Sequence, residues 1–94
     1  MDEQPIYRTI WKYRLNRTDE TIIDMPRGAI PRCAACKDGG WWVWVEVDIM
    51  LPHVPHRFQV VGTGHEKICG GTYVGTMFDV PYVWHVYFHG EVQQ

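Results

Sequence analysis

Apolar and polar residues alternate with period two along most of the chain, and no stretch carries an apolar stripe at helical spacing. Residues 7–15 show it best: Tyr7, Thr9, Trp11, Tyr13 and Leu15 make an apolar face, while Arg8, Lys12 and Arg14 share the other face with Ile10. A second strand is expected over 20–25, stopped by the turn residues Pro26, Arg27 and Gly28. A hairpin over 29–47 follows, with Lys37-Asp38-Gly39-Gly40 as its turn and a strongly β-forming arm from Trp41 to Val47. Pro52 and Pro55 have no amide to donate to a ladder, so 48–55 reads as a loop. Strands are then expected over 57–63, 72–78 and 82–88, separated by a loop at 64–71 and a turn at 79–81. Strands at this spacing with no helix between them predict an all-β fold, a single small antiparallel β-sandwich or barrel of about seven short strands, in one domain over 1–94.

Composition narrows the function classes. The 94 residues carry a net charge of −2, which argues against a protein that holds duplex nucleic acid through a bulk positive field. No segment approaches the roughly 18–20 apolar residues of a membrane-spanning helix, and residues 1–5 lack the basic and apolar regions of a leader. No membrane partner is expected, and the location expected is cytoplasmic. Three cysteines include the pair Cys33-Ala-Ala-Cys36. A zinc or redox reading of that pair needs both thiols on one side, but residues three apart on a strand point to opposite faces. They read as small reduced side chains, and neither a metal site nor a cofactor is expected.

Aromatic residues make up 14% of the chain. Alternation assigns Tyr7, Trp11, Tyr13, Trp41, Phe58, Tyr82, Trp84 and Phe88 to core-facing positions and Trp42, Trp44 and Tyr87 to the opposite faces, leaving Tyr73 and Phe78 undecided.

Three places carry candidate chemistry. Gly62-Thr63-Gly64-His65 ends a strand in a turn where glycines let a ligand approach the backbone and His65 can donate to a phosphate or carbonyl; the same pattern also serves as a plain tight turn or bulge. The last strand sets His85, Tyr87 and His89 on one face, but His85 and His89 lie about 13 Å apart along a strand, too far to share one metal ion. The first strand offers Arg8, Lys12 and Arg14, with Arg17 beyond, a patch suited either to a compact anion or to an ordinary solvated edge. The chain has no serine, no His-x-Thr/Ser repeat and no phosphate-binding loop, so no catalytic residues are assigned and no enzyme is expected.

Arg8-Thr9-Ile10-Trp11-Lys12-Tyr13, Asp24-Met25-Pro26-Arg27-Gly28-Ala29, Gly62-Thr63-Gly64-His65, Tyr73-Val74-Gly75-Thr76 and Val83-Trp84-His85-Val86-Tyr87 together resemble a family of small tailed-phage and prophage proteins. The resemblance covers most of the chain and departs from it in the tryptophan-rich hairpin at 39–44 and the loop at 53–56. It implies a small cytoplasmic protein made during infection, of a kind that disarms host defence by binding. The chemistry then best suits a sponge that sequesters a cyclic nucleotide signal without cleaving it. In that reading Arg8 and Lys12 hold phosphates, Thr63 and His65 make polar contacts, and Trp84, His85 and Tyr87 line the pocket. A chain this short makes a shallow concavity, so a homo-oligomer is expected. The alternative is a protein-binding inhibitor of a host defence complex, such as an anti-CRISPR, with Trp42 and Trp44 as interface anchors. A virion component is a third reading.

Overall fold

A computed structural model describes residues 7–93; residues 1–5, read for a leader, lie outside the described residues. Seven strands follow one another without a helix: β1 (Arg8–Leu15), β2 (Glu20–Pro26), β3 (Ile30–Lys37), β4 (Gly40–Asp48), β5 (His53–Gly62), β6 (Thr72–Asp79) and β7 (Tyr82–Glu91). They form two antiparallel sheets, ordered β1-β4-β3 and β2-β5-β7-β6. The two layers pack as the expected sandwich, meeting most closely along β3 and β6.

The core follows from alternation on β4. Trp41, Val43, Val45 and Val47 point inward and are buried, whereas Trp42, Trp44 and Glu46 point outward and are half-buried. Across the gap lie Phe58 and Val60 of β5, Met77 of β6 and Val86 of β7, with Leu15 and Met25 closing the ends. Each such side chain contributes about 1.5–3 kcal/mol of burial. At the seam the β6 backbone approaches β3 so closely that a Cβ on Gly75 would stand 3.1 Å from the Ala34 nitrogen.

Three expectations are corrected. Residues 48–55 are not all loop, because β5 begins at His53 and runs through Pro55. Val92 donates to the Pro55 carbonyl, so the nitrogen of Pro55 also faces the β7 side, past the end of that ladder, and its missing N–H leaves the pairing with Asp24 intact. Tyr7 and Trp11 do sit on the inner side of β1, but they are 57% and 36% exposed, since the second sheet reaches this edge just at the start of β5, where His53 stands 6.0 Å from Trp11 between ring centroids. Tyr82 is 59% exposed because it lies beyond the end of the core, beside Trp84. Tyr13, Trp84 and Phe88 are partly buried and pack against the core.

β5 and β6 are both antiparallel to β7 and flank it, so they run parallel to each other. The connection at 63–71 must therefore return along the length of the sheet. It does so over the outer face, where Lys67 lies 4.3 Å above the Tyr87 ring and Gly71 lies against His89. Gln59 and Val61, which alternation points outward, are buried on that face.

Candidate functional site

Antiparallel order brings four chain reversals to one end of the sandwich: residues 16–19, the turn at 38–39, the exit from β5 at 62–67, and the turn at 80–81. Gly62 stands at their centre. A Cβ there would lie 2.7 Å from Nδ1 of His65 and 3.1 Å from the Trp84 ring, so the missing side chain is what lets His65 fold back beside Trp84. Gly64, at φ +86, supplies the left-handed turn that returns the chain. An open cleft of ≈ 700 Å³ lies along this turn, between Asp19, Gln59 and Gly62 on one side and His65, Glu66 and Lys67 on the other. That volume is in the range of small-molecule sites. A second depression of ≈ 290 Å³ adjoins it, lined by Thr63, His65, Tyr82 and Trp84. Among the described residues, no carbonyl accepts from the backbone N–H of Gly64, Glu66 or Lys67, which leaves three donors beside the cleft.

An aromatic wall backs this end. Trp84 lies 5.1 Å from Trp41 and 5.7 Å from Tyr82 between ring centroids. Arg17 covers the Trp41 ring at 4.8 Å and pairs with Asp79 at 2.9 Å, while the Trp41 indole donates to the same carboxylate at 3.2 Å. The bonds from Trp41 and then Arg17 hold the Asp79 carboxyl below its ordinary pKa.

On the other side of the same sheet a polar line crosses three strands. Thr63 Oγ1 lies 2.8 Å from His85 Nε2, His85 Nδ1 lies 3.1 Å from Thr76 Oγ1, and Thr76 bonds in turn to the Tyr73 hydroxyl. A neutral imidazole has one donor and one acceptor, so in that form one threonine hydroxyl accepts a hydrogen bond from His85 and the other donates one to it. Tyr73 meets Tyr87 edge to face at 5.7 Å. Further along, His89 is 2.8 Å from Gln59 Oε1, and burial, with Lys67 and Arg57 nearby, pushes its pKa down.

The expected ligand residues thus divide three ways. Thr63, His65 and Trp84 share the loop-end depression, and His85 and Tyr87 lie on the outer face, joined to it through Thr63. His65 and His85 do not meet: His65 sits with Trp84 on the core side of β7, and His85 faces outward. Arg8 and Lys12 are elsewhere, on the outer face of the three-stranded sheet opposite Asp48 and Trp44, so they cannot hold phosphates for this cleft. Arg8 is also engaged, 2.6 Å from a Glu46 carboxylate that Arg32 shares at 2.8 Å. Bonds from Arg32 and then Arg8 keep the Glu46 carboxyl below its usual range. Lys12 and Arg14 lie over the Trp42 ring at 4.4 and 5.5 Å, and the Trp42 indole donates to the Lys37 carbonyl at 3.2 Å. Trp42 is partly covered in this way and Trp44 is half-buried between β1 and β3, but among the described residues no second layer lies over them.

Sequence reading did not place Arg17, Trp41, Tyr82, Thr76 or Tyr73 in the site. Arg17 follows Arg8, Lys12 and Arg14 in sequence, but its chain has already turned toward the loop end. Thr76 and Tyr73 acquire their roles only through the pairing of β6 with β7, which shifts register between Tyr73 and Gly75. Among the described residues no three His, Cys, Asp or Glu side chains cluster to hold a metal ion. Cys33 and Cys36, opposite Trp44 and Trp41, fall on opposite faces and are free thiols.

Fold and site together define a small two-sheet β-sandwich whose loop end carries a polar cleft beside His65 and, adjoining it, a depression lined by Thr63, Tyr82 and Trp84. The chain belongs to the family described as Domain of unknown function (DUF7352), whose model matches residues 6–94. Neither a curated protein nor a solved structure matches it.

Proposed function

We propose that the chain is a non-catalytic binding protein that sequesters a cyclic nucleotide of host defence signalling at its loop end. The observation that carries this reading is the cleft of ≈ 700 Å³ at Gly62–Lys67, with unpaired backbone donors on one side and the Tyr82 and Trp84 rings in the adjoining depression. Rings stack bases, each worth about 1–3 kcal/mol, and free amides beside a glycine turn suit phosphate oxygens. The role in infection rests on the resemblance to tailed-phage proteins. Of the cations, Lys67 lines the cleft, its ammonium donating to the Ile68 and Gly70 carbonyls, and Arg17 stays paired with Asp79 beside Trp41.

Calorimetric titration with a panel of cyclic di- and trinucleotides, followed by recovery of the ligand after heating, tests the proposal. Binding of at least one member with intact recovery is expected, weakened roughly tenfold in the exposed-ring variant Tyr82→Ala and unchanged in Lys12→Ala. No binding to any member sinks the proposal, and degraded ligand replaces it with an enzyme. The protein-binding alternative draws support from Trp42 and Trp44, which lie on a sheet face without a covering layer; co-purification of a host protein lost in Trp44→Ala would favour it.

A further inference from the structure

We infer that the free edge of β1 pairs with the free edge of β2 from a second copy of the chain, extending the sheets head to tail. Both strands stand at sheet edges, whereas the other two edges, β3 and β6, lie against each other at Gly75 and Ala34. On β1, Ile49 donates to the Tyr7 carbonyl, so odd-numbered residues bond to β4 and the backbone groups of Arg8, Ile10, Lys12 and Arg14 face outward, unpaired. On β2, Val60 donates to the Asp19 carbonyl, so odd-numbered residues bond to β5 and Glu20, Ile22 and Asp24 face outward; the Glu20 carbonyl accepts one bond from the Thr18 hydroxyl and keeps a second lone pair. The two edges therefore offer matching donors and acceptors.

Their side chains match as well. Antiparallel pairing sets Lys12 opposite Glu20, Ile10 opposite Ile22, and Arg8 opposite Asp24. Ile10 and Ile22 are 49% and 44% exposed, an unusual state for isoleucine in the middle of a strand. Among the described residues Lys12 and Asp24 have no ion-pair partner of their own. Symmetric alternatives fail on charge: β1 against β1 about Ile10 sets Arg8 opposite Lys12, and β2 against β2 about Ile22 sets Glu20 opposite Asp24. A heterologous contact of this kind leaves one free edge of each type and builds rings or open chains. It gives the expected homo-oligomer an interface, and it holds whatever ligand the loop end takes.

Light scattering across a concentration series, with hydrogen exchange on the full chain, tests it. The expected mass rises above the 11.0 kDa of one copy as concentration increases and falls with added salt. Amides of Ile10, Lys12, Ile22 and Asp24 should slow at least tenfold on assembly. Lys12→Glu and Glu20→Lys should each remain monomeric alone and assemble when mixed, because each supplies the other's missing complement. Ile10→Pro should abolish assembly, since it removes an outward N–H and leaves the β1–β4 ladder whole; if it fails to fold, the mixing experiment stands by itself. A chain that stays monomeric at millimolar concentration and low salt overturns the inference. So does an assembly that persists in Lys12→Glu, or one lost in Trp42→Ala but kept in Ile10→Pro.

Discussion

At the scale of single residues, one position can give opposite answers to the questions of face and environment. His85 and His89 both point outward from β7, yet only His89 is drawn under the crossover, with Lys67 and Arg57 close by. Its pKa is depressed, so the unfolded chain takes up the proton first and stability falls as pH drops below about 6.5 toward the folded value. Thermal melts should show a decrease in Tm from pH 7 to pH 5 that shrinks in His89→Gln; an unchanged decrease would remove His89 from the cause. Glu46 and Asp79 titrate lower, and what their ion pairs contribute is lost only in more acid solution, below the ordinary carboxylate values of 4.5 and 3.8. Of these contacts the sequence exposed the residue types alone. Nothing local to His89 reveals that Gln59, thirty residues away, is its partner.

At the scale of elements, alternation located all seven strands, because a half-buried strand must carry a period-two pattern whatever it pairs with. It misjudged the start of β5 because the effect of a proline depends on which neighbour its nitrogen faces, and that is a property of the sheet. It also could not show that β5 and β6 run parallel, with 63–71 crossing between them. The seam between sheets is likewise a relation between elements. Gly75 lets β6 lie against the β3 backbone, and Gly75→Ala should push the seam apart at a cost of about 1–3 kcal/mol, because the obstructing atom is a main-chain nitrogen that cannot rotate away. Chemical denaturation would measure it. A variant as stable as the wild type would mean that the strands separate freely there.

At the scale of the whole molecule, Phe58 links the layers: fully buried on β5, it lies tilted against Phe88 at 5.0 Å between ring centroids and belongs to the cluster that includes Val43 and Val45 of the other sheet. Phe58→Ala should cost about 3–5 kcal/mol and lower the melting of both sheets together, as one core predicts. Separate transitions in near- and far-ultraviolet circular dichroism would show two independent layers instead. By itself the chain's alternation determined the all-β class, the strand positions and the facing of Trp41 against Trp42 and Trp44, since side-chain direction along a strand is a local consequence of backbone geometry. Only the tertiary structure decided which inward faces find a second layer. Tyr7, Trp11 and Tyr82 carry the right residue types in the right phase and remain exposed, because burial is set by where the opposite sheet ends. It decided the site for the same reason: Arg8 and Lys12 went to one sheet and Thr63, His65 and Trp84 to the other, a division that depends on strand order and that no run of neighbouring residues encodes.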